Sequence, residues 1–369
     1  MMQPNRRRSA ELPGRADPLR TTPRTSSSLI TAVLVVALPL VVVTSASIGT
    51  IDVSFVEAAK IIIGHLVPGM PWMSDGSLTS VQDDAVWRFR LPRTLLAILT
   101  GAALALAGSL MQAVVHNPLA EPYVLGVSAG AGVGAVSFIV LGLGVGGPGI
   151  SIAAFVGALV ATAAVYMLAG KSGRIAPARL ILAGVALGSF LGAITSYLTV
   201  STDAQNVYSI MFFLLGSVSA ATMDQLVAPT VALVVVGLLA AFRARALNAL
   251  LVGDEAAASL GVDVDRLRRV VLVSAALLTG AVVAVSGGIG FVGLVVPHVS
   301  RIVIGSDHRR MLPAAVLAGA VFLALCDLAA RTVAQPTEVP LGVLTAIVGA
   351  PFFLWLLRRD GADAVGLDR

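Results

Sequence analysis

Residues Arg90-Leu91-Pro92-Arg93 precede a long apolar segment, 94–115, which ends at the run His116-Asn117-Pro118-Leu119-Ala120-Glu121-Pro122. An α-helix needs about 20 mostly apolar residues to cross the hydrocarbon core of a bilayer. Residues 94–115 are therefore predicted to span a membrane, with arginines at one end and a proline-containing loop at the other.

The composition extends this prediction to the whole chain. Of its 369 residues, 57% are hydrophobic and only 12% are charged, and the mean hydropathy is +0.93. Soluble domains are about 25% charged, so these values indicate a polytopic membrane protein. The lone cysteine, Cys326, lies in an apolar run and excludes an internal disulfide and a cysteine-based metal site.

The apolar segments divide the chain into a membrane domain and two tails. We predict an all-α fold with about ten transmembrane helices, a disordered cytoplasmic tail over 1–28, a transmembrane domain over 29–358 and a cytoplasmic tail over 359–369. Segment 210–222 is shorter and predicts a half-helix or a re-entrant segment. The predicted spans are 29–48, 94–115, 122–145, 150–169, 179–200, 226–242, 270–287, 288–305, 312–330 and 341–357.

Basic residues predict the orientation of these spans. With the N-terminus placed inside, the loops on that side hold most of the arginines, among them Arg243, Arg245, Arg266, Arg268, Arg269, Arg301, Arg309, Arg310, Arg358 and Arg359. Cytoplasmic loops carry such an excess, so both termini are predicted to be cytoplasmic. The same rule explains the net charge of +5 without a nucleic-acid partner.

Four arginines break this rule. Arg88, Arg90 and Arg93 precede the second span and Arg331 follows the ninth, which places all four at the outer face. Exposed arginines at this face predict an acidic partner or an anionic substrate; the alternative is that they reach toward lipid headgroups.

Three short motifs resemble enzyme signatures. Gly288–Gly293 reads GxGxxG, but a membrane span precedes it, which excludes a dinucleotide fold. Gly170-Lys171-Ser172 lacks the leading glycine of a phosphate-binding loop, so any ATPase must be a separate chain. Gly126-Val127-Ser128-Ala129-Gly130 reads GxSxG, and an intramembrane serine hydrolase that uses Ser128 with His298 or Asp327 is an alternative.

A further alternative is an ion-coupled exporter. Such transporters carry acidic or histidine residues in the middle of their spans. Asp327 is the one acid well inside a predicted span, and it lies close to the outer end. This position argues against ion coupling.

Residues 254–269 predict a structured cytoplasmic loop. Asp254 and Glu255 open a short alanine-rich helix, where acids are favoured by the positive end of the helix dipole, and Leu260-Gly261 ends it. A helix in a cytoplasmic loop suits docking on a soluble partner; the alternative is an ordinary helix at the membrane interface.

Many ordered blocks of the chain resemble FecCD-type permeases of ATP-binding-cassette importers. The resemblance covers about residues 30–358 and rests on the Arg90–Ala131 block, the Leu182–Gly188 run, Leu215-Gly216-Ser217, Gly253–Gly261, Gly287–His298, Asp307-His308-Arg309, Ala329-Ala330-Arg331 and Pro340–Val343. The chain departs from the family in its longer polar N-terminus and in Met211-Phe212-Phe213, where the family often has a tryptophan.

The resemblance implies a type II ABC importer architecture in a bacterial cell membrane. Its implied partners are a second permease subunit, two cytoplasmic ATPases and an extracytoplasmic substrate-binding protein. The implied cargo is a ferric siderophore, with cobalamin or haem as alternatives, and no enzymatic activity, cofactor or metal site is expected in this chain.

The resemblance also implies roles for particular residues. Outer arginines that receive acidic groups of the binding protein correspond to Arg90, Arg93 and Arg331. A translocation path is implied past Gln112, Asn117 and Ser128. The coupling region spans about 250–268, and the helix that docks on the ATPase corresponds to Asp254, Glu255, Ala256, Ala257, Ala258, Ser259, Leu260 and Gly261.

Overall fold

The computed structural model describes residues 24–144, 147–171, 174–175 and 177–365. Their regular secondary structure is helical apart from one pair of antiparallel strands of two residues each, β1 (Gly170–Lys171) and β2 (Arg174–Ile175). The helices are α1 (Arg24–Ser47), α2 (Phe55–Leu66), α3 (Ser80–Asp84), α4 (Leu91–Val115), α5 (Val127–Val140), α6 (Pro148–Ala169), α7 (Pro177–Val200), α8 (Ala204–Leu215), α9 (Val227–Leu250), α10 (Asp254–Ser259), α11 (Val264–Ser286), α12 (Val292–Ile304), α13 (His308–Ala330) and α14 (Leu341–Val365).

The predicted all-α membrane fold is confirmed. Among the described helices, seven are long and apolar enough to cross a membrane, and α5, α8, α12 and Leu341–Trp355 of α14 are shorter apolar helices. Each of the ten predicted spans overlaps one of these helices. The half-helix predicted over 210–222 corresponds only in part to α8, which ends at Leu215, because Gly216 adopts a φ of 77° there.

Two predicted spans are shorter than expected. The span predicted over 122–145 begins at Val127, because Pro122–Leu125 forms a 3-10 turn that ends at Gly126, where φ is 72°. The span predicted over 288–305 begins at Val292, because Gly287 and Phe291 both adopt positive φ, 67° and 68°. Turn residues next to apolar runs shorten these helices.

Several predicted boundaries also shift. α1 begins at Arg24, inside the predicted tail, and the rest of that tail lies outside the described residues. α9 runs on to Leu250 and therefore contains Arg243 and Arg245. α14 continues to Val365, past the predicted start of the C-terminal tail.

α4 lies at the centre of the bundle. In its most apolar window 83% of the residues are buried, against 11% for α1 and 17% for α7, so α4 is enclosed by protein while the other two face outward. It packs against α13, α11, α12 and α9. Glycines make this packing close: a Cβ at Gly101 would overlap the backbone of Gly319, and one at Gly108 would overlap that of Gly293.

The two ends of the bundle differ. One end, here called the pocket end, carries α2, α3 and the loop 331–340; α2 and the neighbouring turns form a small core around Ala58, Ile61 and Val86. The opposite end, here called the coupling end, carries α10 and the loops 116–121 and 305–307.

Candidate functional site

Three of the anomalous arginines meet at the pocket end. The guanidinium of Arg90 donates to the backbone carbonyls of Ala46 (2.9 Å), Ser47 (2.9 Å) and Ile51 (2.6 Å), and only 8% of the residue is exposed. These carbonyls belong to the end of α1 and the segment after it, so Arg90 ties α1 to α4.

Arg93 is held by two acids from distant parts of the chain. Its Nε donates to Asp327 (2.9 Å), which is fully buried in α13, and its Nη1 donates to Glu338 (2.7 Å) in the loop 331–340. Arg331 lies beside them, 3.8 Å from the second oxygen of Asp327, and donates to the carbonyl of Ile48 (2.8 Å). One buried acid thus lies between two arginines.

These arginines line a cavity of about 680 Å³ at the pocket end. The expectation of exposed arginines is wrong for Arg90, Arg93 and Arg331, because internal carbonyls and carboxylates already bind their side chains. It holds for Arg88, whose side chain is 72% exposed and pairs with Asp84 in the preceding turn.

At the coupling end, α10 is a short helix whose first residue, Asp254, contacts the rest of the bundle. Arg268 of α11 is buried and its Nη2 donates to Asp254 at 3.0 Å. Ala257 is fully buried, and its N–H donates to the carbonyl of Gly253 at 3.0 Å. The remaining surface of the predicted docking helix is largely exposed: Asp254, Glu255, Ala258, Ser259, Leu260 and Gly261 are exposed, and Ala256 is half-buried.

α10 is also connected to α4. His116 ends α4 in the left-handed region (φ 52°), and its Nε2 hydrogen-bonds the carbonyl of Leu250 (2.8 Å) and lies 4.0 Å from Asp254. Asp254 is therefore within reach of side chains from α4 and α11. The local sequence pattern does not predict His116 and Arg268 as neighbours of this helix, because the fold brings them together from separate segments of the chain.

A second loop contact joins the residues after α4 to the break before α12. The hydroxyl of Tyr123 donates to the carbonyl of Ile289 and accepts from its N–H, both at 2.9 Å. The carboxylate of Glu121 accepts from the N–H of Phe291 at 2.9 Å. Burial raises the pKa of Glu121, although the hydrogen bond from Phe291 acts in the opposite direction. The sequence analysis assigned no role to Glu121 or Tyr123.

An open, mostly apolar trough of about 750 Å³ lies beside this second contact. Its lining is supplied by the end of α8, the loop 288–291 and one face of α14. Glycines form part of that wall and offer few polar atoms to a passing molecule.

The three predicted pathway residues occupy different surroundings. Gln112 is buried in α4, where its amide nitrogen donates to the Leu294 carbonyl and its oxygen accepts from Arg301, both at 3.2 Å. Asn117 closes a turn by accepting from the N–H of Leu119 (2.8 Å). Ser128 lies at the start of α5 next to Gly288, which borders the trough.

The enzyme-like motifs have structural explanations. Within the described residues the Ser128 hydroxyl has no hydrogen bond to a histidine or a carboxylate, and Asp327 is engaged by Arg93. Gly130 packs on Gly157 and Gly293 on Leu104, so helix packing accounts for these glycines. A search of the described residues finds no cluster of three or more histidine, cysteine or acidic side chains that could hold a metal.

Comparison with known proteins gives matches over most of the chain. The profile of the FecCD transport family matches residues 35–359. The cobalamin import system permease protein BtuC of Halobacterium salinarum is 42% identical over 307 residues, 80% of this chain and 82% of that protein. The hemin transport system permease protein HmuU of Yersinia pestis is 40% identical over 294 residues, 77% of this chain and 87% of that protein.

A solved structure shares the fold. It is described as a metal-chelate-type ABC transporter in an inward-facing conformation, and it superimposes with a TM-score of 0.77 at 31% identity, covering 90% of this chain and 99% of that one.

Proposed function

The chain belongs to the FecCD transport family and is a permease of the ABC importer type. We propose that it moves a large metal chelate into the cytoplasm. The observation that carries the proposal is the family match over residues 35–359, which includes both the arginine cavity and α10. A bulky polar chelate cannot cross hydrocarbon unaided, because its polar groups would lose their hydration.

Three cargo classes belong to this proposal. Relatives named for cobalamin and for hemin are similar to the chain at 42% and 40% identity, so these two cargoes are supported to the same degree. A ferric siderophore, the cargo predicted from the sequence, is a chelate of the same general kind. The apolar, glycine-bordered trough suits all three, because weak contacts let a bulky cargo leave.

The two ends of the bundle have different partners in this proposal. The coupling end faces the cytoplasm, since it carries the excess of arginines, and both chain termini lie on that side. α10 docks on one subunit of an ATPase dimer, and the pocket end receives the substrate-binding protein at the cavity that Arg90, Arg93 and Arg331 line. A second permease subunit faces the trough, so that the path runs between the two copies past Ser128 and Asn117.

The contacts of α10 support a route for mechanical coupling. When the ATPases close on ATP and move α10, the Arg268–Asp254 pair transmits the displacement to α11. The His116 contacts transmit it to the end of α4. α11 leads directly into the loop held by Tyr123 and Glu121, which borders the trough. Movement at the ATPase is thereby linked to the shape of the path.

Uptake of labelled cargo tests the proposed function. Cells with and without this gene are given cobalamin, haem and a panel of ferric siderophores. The proposal predicts loss of uptake of one chelate and recovery with the wild-type gene. Unchanged uptake of every chelate would contradict it.

Ser128 separates the transporter from the serine hydrolase alternative. Ser128→Ala restores uptake if the chain is a permease, since a small side chain there leaves the helix start unchanged. Failure of this variant to restore uptake, at normal protein level in the membrane, would favour nucleophilic chemistry at Ser128.

A further inference from the structure

An apolar groove runs along the outside of the bundle between α9 and α13. It has a volume of about 460 Å³, and Leu106 of α4 forms part of its floor. Its walls are aliphatic except at the coupling end, where His308 and Arg309 border it. The wall residues are Leu233, Val234, Gly237, Leu238, Ala240, Ala241 and Ala244 of α9 and Leu312, Pro313 and Val316 of α13.

On the α9 side of this groove, several apolar side chains are exposed on the outer surface of the bundle. Val234, Val235, Leu238 and Phe242 of α9 are 53%, 60%, 56% and 84% exposed. Exposed aliphatic side chains on a membrane-spanning helix contact lipid chains, so the groove opens toward hydrocarbon.

The polar end of the groove contains a buried histidine with an unused nitrogen. His308 is 1% exposed, and its Nδ1 lies 2.8 Å from the Asn248 side-chain oxygen, which can only accept, so Nδ1 donates. Among the described residues Nε2 has no hydrogen-bond partner. Since Nδ1 holds the proton of the neutral ring, Nε2 is left as an acceptor at the end of an apolar groove.

Two exposed arginines flank the same end. Arg309 borders the groove and is exposed. Arg245 is exposed and follows Ala241 by four residues on α9, which places it one turn beyond Ala241 on the same face of the helix. The nearby acid, Asp307, already has hydrogen-bond partners: its carboxylate accepts from the Asn248 amide (2.6 Å) and from the N–H of Arg309 (3.1 Å).

We propose that this groove is a binding site for an anionic glycerophospholipid. One acyl chain lies along the aliphatic walls, the phosphodiester binds Arg309 and Arg245, and a headgroup hydroxyl donates to Nε2 of His308. Basic pockets between membrane helices on the cytoplasmic side suit anionic headgroups, and guanidinium groups bind phosphate strongly. This site lies outside the trough and the arginine cavity; its orientation, with the arginines at the cytoplasmic leaflet, rests on the proposed function.

Native mass spectrometry of the purified full-length protein tests the site. Phosphatidylglycerol or phosphatidylcholine is added, and the bound lipids are counted. We expect one phosphatidylglycerol to be retained with about tenfold preference over phosphatidylcholine, and the Arg245→Ala/Arg309→Ala variant to bring this preference close to one. Arg269→Ala, which removes an exposed arginine of α11 away from the groove, is the control and keeps the preference. Retention of the preference in the double variant would overturn the proposal.

A second variant tests the acyl groove. A Cβ at Gly237 would meet only Leu106, at 4.0 Å, so Gly237→Leu fills the groove without backbone displacement. We expect it to lose the retained lipid of either headgroup, whereas Val160→Leu on the exposed face of α6 does not. Inorganic phosphate should not displace phosphatidylglycerol from the wild type. Displacement by phosphate would instead indicate a site for small anions. Conversion of a dimer to a monomer by Gly237→Leu would indicate a protein interface. Either result would contradict the lipid site.

Neither readout requires transport, an ATPase or a binding protein. A negative result here therefore leaves the proposed transport function untouched, and a failure of the uptake experiment leaves the lipid measurement interpretable.

Discussion

Arg93 is the residue at which the internal and the proposed external contacts of the permease compete. Its Nη1 is bound to Glu338, whose side chain is 37% exposed at the cavity, while its Nε is bound to the buried Asp327. A carboxylate of a binding protein that docks on Arg93 must displace Glu338 or share Arg93 with it.

Glu338→Gln should therefore strengthen docking. The substitution removes the competing charge but keeps the size of the side chain, and an exposed ion pair is worth about 0.5 kcal/mol, so we expect a roughly twofold gain in affinity. Surface plasmon resonance with the purified binding protein measures this change at low and physiological salt. Weaker docking of Glu338→Gln would show that Glu338 helps to present Arg93 instead of competing for it.

Asp327, unlike the partly exposed Glu338, is fully buried, and it lies between Arg93 and Arg331. Asp327→Asn removes the buried counter-charge that Arg93 and Arg331 share and leaves Arg93 paired with Glu338 alone, so we expect the free energy of unfolding to fall by about 3 kcal/mol. Thermal unfolding of the purified protein measures it. The matched control is Asp84→Asn, which breaks the exposed pair with Arg88 and should change stability by about 0.5 kcal/mol or less. Equal effects of the two variants would contradict a structural role for Asp327.

For individual residues, the sequence predicts the end of the bundle at which a side chain lies better than it predicts the side chains that it contacts. The charge rule singled out Arg90, Arg93 and Arg331, and the structure brings all three to one cavity. It could not predict that Arg93 binds Asp327, because the two residues are 234 positions apart and only the packing of α13 on α4 brings them together. For the same reason the contact of Tyr123 with Ile289 had no signal in the local pattern.

Among the elements, α10 has the clearest relation between sequence and structure. Asp254 and Glu255 begin the helix and Gly261 follows it with φ of 83°, as the pattern predicted. The start of α5 was harder to predict, because Pro122–Leu125 is apolar and continues the hydrophobic run although it forms a separate turn.

Ala257→Pro should uncouple ATP hydrolysis from transport. The N–H of Ala257 donates to Gly253, so proline removes that bond and disrupts the one turn on which α10 depends. Ala256→Pro is the matched control, since N–H groups of the first turn have no partner within the helix. In the reconstituted complex we expect transport-linked ATPase stimulation to be lost in the first variant and largely kept in the second. Full stimulation in Ala257→Pro would rule out α10 as the coupling element.

Close helix packing depends on glycine at particular positions. Gly101→Ala forces α4 away from the backbone of Gly319, and we expect a loss of about 2 kcal/mol in stability. Gly237→Ala meets only Leu106 at 4.0 Å and should be neutral or stabilise α9 by about 0.5 kcal/mol. Comparison of the two melting temperatures measures the difference, and a stabilised Gly101→Ala would mean that α4 and α13 are less tightly packed than described.

On the scale of the whole molecule, composition was sufficient for the fold class. The hydropathy of the chain and the spacing of its apolar runs predicted a helical membrane protein, and each predicted span contains a helix. Which helix lies at the centre was not predictable, since α4 and α7 are similarly apolar yet 83% and 17% buried. Helix burial depends on how small residues match between neighbours, and hydropathy does not record that match.

ATP-dependent uptake into proteoliposomes shows whether this chain is the permease of an ATP-driven importer. The permease is reconstituted with its ATPase and binding protein, and accumulation of labelled cobalamin, haem and ferric siderophores is measured with and without ATP. The account predicts that one chelate accumulates only with ATP, that an imposed proton or sodium gradient does not replace ATP, and that Ala257→Pro abolishes accumulation. Equal accumulation without ATP, or accumulation driven by an ion gradient alone, would contradict it.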